Sequence, residues 1–576
     1  MCNPLRISLL LCLLAVACGG RRGVPGGTGG VAVTGSGGRG NTGAGGAAGI
    51  GAACAGDADV RLVVADQRIV RLTMNEILNT VRSLIDETEA AALVGDGVIA
   101  GDDSVASQRR FPPLQDLLIA GDNFPKVDLI ASHVASYVLA HFTTVTGCVS
   151  ANDACATVYL DRLAARAYRR PLTLDERSRF NANYSKLRSS QTVNGYDVTF
   201  TVEEATSYAV EALLLSPQML WRWEVGDPAR ATTFPAGIPL TDHELAAHLS
   251  FFLTDQPPGE ALLTAASAGT LRTNLAAHVD ALLASRTAQD WLRTIMETYL
   301  EVNQLPSVVV DPLRASDMGV ETRLFLDNVL WNGTLNDMLL SRTAFLNTGL
   351  AVDVYKVSPP ADATQTSFVR TTLPADERAG VLTNAGFLAA HGAADGRSLV
   401  PRGRFVAAAL LCMPPDVDPG SASQPIAQQS SQEQVAYRAA RPACAGCHSL
   451  FDPYGLALDG YDMLGRTRAV DEVGRPIDTH TTLAAALGGD AVANGVELAQ
   501  ALAMKPAFTN CMAKMLLQYA LAGDDAAVEV PLPPQQAGCA TANVVKNYQN
   551  INGKTFADLV RATVATPAFV LRRAAP

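Results

Sequence analysis

A threonine followed three positions later by glutamate, and then by apolar residues three and four apart, recurs along this chain. Thr73-Met74-Asn75-Glu76 opens one such stretch, in which Ile77, Leu78, Val81, Leu84 and Ile85 fall at helical spacing. The threonine oxygen of this box takes an otherwise orphaned N–H of the first turn, and the glutamate returns the bond. Thr173-Leu174-Asp175-Glu176, Thr201-Val202-Glu203-Glu204 and Thr241-Asp242-His243-Glu244 start stretches of the same kind. Helices are therefore predicted near 73–87, 127–145, 153–169, 174–189, 201–215, 241–253, 271–284, 288–301, 318–331, 333–340, 402–412, 430–440, 485–504, 507–522 and 553–566. The helix ending near 412 runs into Pro414-Pro415 and Pro419, which begin a Pro/Gly/Ser-rich loop reaching about Gln428. Weak strands are expected at 59–65 and 195–200, neither large enough to build a sheet. The fold class is mainly α.

The first residues change the picture of where such a body works. Arg6 precedes the apolar run Ile7–Ala17, and Ala15-Val16-Ala17-Cys18 reads as a small-residue cleavage site. The run is too short for a permanent membrane span, so residues 1–17 are expected to be a processed signal. Cys18 looks like the acylated cysteine of a bacterial lipoprotein, with ordinary secretion or a retained anchor as rivals. Gly19 beside it fits onward transport to the outer membrane, facing periplasm or cell surface. Residues 18–58 are glycine-rich and carry almost no large side chains, so ordering them would cost backbone entropy without burying surface. They read as a tether. With 45 basic and 56 acidic residues the net charge is −11, which argues against nucleic acid as a partner.

In an exported chain, Cys444-Ala445-Gly446-Cys447-His448 carries the most specific chemistry. A CxxCH motif spaces two thiols for thioether bonds to the vinyl groups of one haem c, and its histidine ligates the iron from the proximal side. The motif is expected to end a short helix, with the second ring nitrogen of His448 held by a carbonyl or carboxylate. Asp452-Pro453-Tyr454-Gly455 is expected to turn the chain, and Tyr454 and Tyr461 to lie near the haem. A buried cysteine pair or disulfide is one rival reading. A zinc site is another, although no second CxxC completes four ligands.

The opposite face of the iron stays open at this level. Met463 and Met512 rank first as sixth ligands, ahead of Met413, Met504, Met515 and His391, and an open site is equally compatible. Arg466 and Arg468, and after them Arg402 and Arg404, are candidates for the haem propionates, which guanidinium forks suit. Cys148 and Cys155 bracket a short polar loop and are expected to pair in an oxidising compartment. Cys54, Cys412, Cys511 and Cys539 allow three connectivities, of which Cys412 with Cys511 and Cys54 with Cys539 is preferred. His243 and His248, five apart, do not share a helix face as zinc-binding histidines would.

The segment Val70-Arg71-Leu72-Thr73-Met74-Asn75-Glu76 with Asn79-Thr80-Val81-Arg82 resembles the opening of large exported cytochrome-like proteins of planctomycetes and myxobacteria. Those are built from successive domains of unknown function, DUF1587, DUF1595, DUF1592, DUF1588 and DUF1585. Arg166-Ala167-Tyr168-Arg169-Arg170-Pro171-Leu172-Thr173 is similar to the second of them. Ser216 to Arg222 and Leu240 to Ala246 are similar to the third. Arg402-Gly403-Arg404-Phe405-Val406 and the run from Cys444 through Asp459 resemble the fourth, and Phe508 to Cys511 with Tyr519-Ala520-Leu521 the fifth. Leu388 to His391 and Ala522-Gly523 depart from the family pattern without touching the CxxCH.

The resemblance divides the body into 59–146, 147–236, 237–370, 371–482 and 483–576, in that order. It implies a multidomain helical body with a C-terminal cytochrome c-like haem region, bearing one covalent haem on Cys444, Cys447 and His448. The function expected is electron transfer with a periplasmic or surface redox partner. The alternatives are a haem-dependent oxidoreductase running peroxidase or oxygen chemistry, and a surface binding scaffold whose haem is structural.

Overall fold

The computed structural model describes residues 64–85, 123–193, 196–233, 236–305, 312–393, 398–413, 429–471, 473–521 and 534–573. The expected leader, Cys18, the tether, Cys54 and the proline-rich loop lie outside these residues. The described chain is mainly helical. All four capping boxes read from the sequence are formed, each with both reciprocal bonds, at Thr73/Glu76, Thr173/Glu176, Thr201/Glu204 and Thr241/Glu244. Two more, at Ser430/Glu433 and Thr555/Asp558, use the same chemistry. No helix among the described residues is long and apolar enough to cross a membrane.

Two hydrophobic cores organise most of these helices. The first collects residues 72–220 with Phe251, around the helices Met74–Leu84, Asn123–Ala140, Asp153–Ala167, Leu174–Arg188 and Val202–Leu214. The second is larger and runs from Ala65 through Leu240 to Phe569. A small third core lies around Tyr355 and Ala385. Disulfides close Cys148–Cys155 and Cys412–Cys511, and Cys539 is also disulfide-bonded.

Several elements differ from the expectation. The residues at Ala65–Asp66 do join a sheet, because Leu571–Arg573 lies parallel to them and carries Ala236–Pro239 and Thr232–Thr233 on its other edge. A strand so short takes its stability from partners remote in sequence, which a local pattern does not reveal. Residues 485–504 are not one helix: a short turn at Ala485–Leu487 and a strand at Ala491–Val492 precede the helix Gly495–Ala503, whose cap is Asn494. Helices Glu260–Ser267, Ala385–Ala390 and Pro534–Gln549 were not anticipated.

Where the two main cores meet, a buried carboxylate holds the chain together. Arg68–Arg71 pairs antiparallel with Trp221–Glu224, with Arg68 opposite Glu224. The fully buried Glu224 accepts hydrogen bonds from Arg68 Nε at 2.7 Å and Arg572 Nε at 3.0 Å, and its other oxygen stands 2.9 Å from Arg222 Nε and 2.8 Å from His248 Nδ1. Burial alone would raise this carboxyl, but the guanidiniums of Arg572 and Arg68 outweigh it and keep it well below 4.5. Burial, helped by the neighbouring arginines, pushes His248 down to about 3 despite Glu224, so the ring beside the carboxylate is neutral. His248 is thus neither a surface residue nor a metal ligand.

A second close contact positions the CxxCH. The helix Leu399–Phe405 crosses the helix Pro442–Ala457 through two glycines. A Cβ on Gly403 would stand 2.1 Å from the Phe451 carbonyl oxygen, and one on Gly455 would stand 1.9 Å from that of Leu399. As one helix advances from 399 to 403 the other retreats from 455 to 451, so they run antiparallel.

Removing the central anion while leaving its cations buried is the most damaging single change this fold offers. Glu224→Gln is expected to cost about 3–5 kcal/mol, read as a fall in the urea midpoint. Both Glu224 and His248 titrate lower in the folded chain than unfolded, so their contribution is complete above about pH 6.5 and fades on acidification. Stability is expected to fall first as pH drops below 6.5, where only the unfolded His248 protonates, with a slope approaching about 1.4 kcal/mol per pH unit; the decline steepens below 4.5. Urea titrations from pH 7.5 to 4 measure it. Gly455→Ala is expected to separate the crossing helices at a cost of about 1–3 kcal/mol or more, visible as a lowered thermal midpoint.

Candidate functional site

The helix that carries the CxxCH starts with Pro442 in its first turn, where a missing N–H costs nothing. Cys444, Cys447 and His448 therefore lie at positions i, i+3 and i+4 of one helix, in its opening turns rather than at its end. The helix does not turn at Asp452-Pro453 but continues through Pro453 to Ala457. Pro453 has no N–H to give the Ser449 carbonyl four residues back, and Ser449 is exposed. The Gly403–Gly455 crossing then clamps the second half of the helix.

Both motif cysteines are free thiols and half-buried. His448 is also half-buried, with 24 % of its side chain exposed. Its Nδ1 lies 2.9 Å from Oδ1 of Asp452, so Nδ1–H donates to the carboxylate and Nε2 is the nitrogen outside that bond. Asp452 is buried and its other oxygen accepts Arg438 Nε at 2.7 Å, from the preceding helix Ser431–Ala439. Phe451 lies beside the imidazole with ring centroids 4.8 Å apart. A charged residue thus holds a carboxylate, which holds the imidazole, whose free nitrogen points away from both.

The remaining sequence candidates are placed differently. Arg466 closes its own turn through Asp462, at 2.6 Å. Arg468 bonds the Asp459 carbonyl at 3.0 Å and carboxylate at 2.9 Å. Arg402 is fully buried and donates to the carbonyls of Leu388, Leu458, Tyr461 and Asp462, a role in folding the segment rather than in meeting a ligand. Arg404 is exposed. Met463 is half-buried in the turn after the motif helix, and Met512 is completely buried in the large core on the helix Pro506–Ala520.

His391 is committed elsewhere. Its Nε2 donates to the Leu300 carbonyl at 2.9 Å, and its ring packs 3.7 Å from that of Phe405. Tyr461 donates to the Glu377 carbonyl at 2.5 Å and covers Arg378. Tyr454 is buried, and its hydroxyl reaches the Met413 sulfur at 3.5 Å. Met413, which ranked below Met463 and Met512, is therefore a methionine whose sulfur touches the motif helix.

Sequence reasoning expected a carbonyl or carboxylate on the second ring nitrogen of His448 but did not identify it as Asp452, nor Arg438 as the partner of Asp452. The i, i+4 spacing from His448 to Asp452 on one helix was a usable signal, hidden by the expectation that Pro453 ends the helix. Among the described residues no group of three or more His, Cys, Asp or Glu side chains is placed to hold a metal ion.

No curated protein and no solved structure matches the chain. Three family models do. Residues 155–224 match a protein of unknown function (DUF1595), residues 240–357 a protein of unknown function (DUF1592), and residues 378–471 a protein of unknown function (DUF1588). The CxxCH helix lies within the last of these segments, so the chain carries DUF1595, DUF1592 and DUF1588 domains in succession.

Proposed function

We propose that the chain is an exported, lipid-anchored, c-type cytochrome-like protein with one covalent haem, acting in electron transfer or as a redox module. The reading extends the three matched domains to the five-domain arrangement, with DUF1587-like and DUF1585-like segments at either end. It places the anchor on Cys18 in the outer membrane and a redox partner in the periplasm or at the surface.

One observation carries the reading: two free thiols and an imidazole with an open Nε2 share the opening turns of one helix, and a buried carboxylate fixes the imidazole's tautomer. Thioether formation adds each S–H across a vinyl double bond, so it calls for reduced thiols and no oxidant. Porphyrin itself supplies four iron ligands, so a protein cluster of three is not needed. A structural zinc would need such a cluster, and among the described residues none is present. Cys444 and Cys447 would tether the haem and Nε2 of His448 would ligate its iron, which supplies one-electron redox chemistry when bound. Met463 and Met512 remain the proposed sixth ligands, with Arg466 and Arg468 as propionate partners once their aspartates are displaced or shared. A haem-dependent oxidoreductase is the second reading, favoured by the carboxylate behind His448.

Expression with cytochrome c maturation machinery, followed by mass and absorption spectra in both oxidation states, tests this. The wild-type chain should gain the mass of one haem and a Soret band. C444A/C447A should abolish the covalent gain, and His448→Ala should change the ligation spectrum while leaving haem attached. Covalent haem retained in full by the double variant would overturn the assignment.

A further inference from the structure

Behind the imidazole stand two charges whose effects on a bound iron have opposite sign. Asp452 is 2 % exposed and divides its oxygens between His448 Nδ1, at 2.9 Å, and Arg438 Nε, at 2.7 Å. The three side chains come from two helices, Ser431–Ala439 and Pro442–Ala457, so their alignment depends on how those helices pack. Two of the four residues that follow the motif, Phe451 and Asp452, hold the ring: one flanks its face and one accepts its Nδ1–H.

A carboxylate that accepts Nδ1–H moves electron density onto the imidazole and makes Nε2 a stronger donor. A stronger axial donor stabilises ferric iron more than ferrous iron and lowers the reduction potential. A neutral carbonyl in the same place would do this less. Arg438 acts against it, because a guanidinium on the second oxygen draws density from the carboxylate. Its positive charge, held on the carboxylate, would also favour the ferrous state of a bound iron.

We propose that Asp452 is a positioning residue that lowers the potential of a haem bound at His448, and that Arg438 tempers this by partly neutralising the carboxylate. The inference rests on the haem reading above. It gives the carboxylate a definite sign: the potential lies lower than it would with a neutral acceptor on Nδ1.

The test uses the full chain matured with haem, as wild type, D452N, R438Q and R438K, with midpoint potentials taken by spectroscopic redox titration. D452N should raise the equilibrium constant for one-electron reduction tenfold or more, about 59 mV. R438Q should shift the potential downward, and R438K, which keeps the charge, should restore it toward wild type. A purely structural role would move D452N and R438Q in the same direction, and that result overturns the proposal, as does a potential unmoved in haem-loaded variants. If D452N does not fold, as judged by circular dichroism, the R438Q and R438K pair still decides the sign. A wild-type chain that takes up no covalent haem defeats the haem reading and this inference together; a loaded wild type with the wrong variant signs defeats this inference alone.

Discussion

The fold turns on one anion sealed among cations. Glu224 is reached by Arg68 from the strand beside it, by Arg222 two residues earlier, by His248 from the helix Asp242–Thr254 and by Arg572 from the far end of the described chain. Taking a carboxylate out of water is costly, and a single partner would barely offset it. Several guanidiniums do, and they leave the imidazole no reason to take up a proton. The knot is therefore less a source of net stability than a condition of assembly: each partner is badly placed unless all the others have arrived. That is how one side chain joins the smaller helical core to the larger one.

Elsewhere the same economy uses arginine without a carboxylate. Arg169 donates to the carbonyls of Ala167, Met219, Gln218 and Trp221, and Arg402 gathers four carbonyls from two separate turns. Burial lowers Arg402 only to about 9, so it stays charged in neutral solution. Five donors in a rigid fork let one side chain satisfy several chain ends that no regular ladder reaches. In the segment matching DUF1588, this fixes the path from Leu388 to Asp462 and so the frame against which the CxxCH helix lies.

What the sequence made legible was local. A capping box needs four consecutive residues, and all four that were read are formed. The spacing of Cys444, Cys447 and His448 is equally local, and the structure keeps those thiols free on one helix. What stayed hidden depended on distance along the chain. Nothing in Trp221-Arg222-Trp223-Glu224 announces that Arg572 will meet it, and nothing at Ala65 announces a strand at Leu571. Pro453 misled for a different reason: a proline removes one helix bond, and here the helix continues past it where the residue losing that bond, Ser449, is exposed. Reading it as a stop concealed the Asp452 that steadies His448.

The parallel pairing of Ala65–Asp66 with Arg572–Arg573 has a consequence for how the molecule comes into being. A chain that emerges amino end first has to hold that early strand, and Arg68 beside it, unsatisfied until residues 571–573 are available. Loop closure over such a span is slow. The large core would thus lock late, as a unit, and the buried flank of the CxxCH helix would stay open until it does. Any machinery that works on an unfinished chain would find its window there.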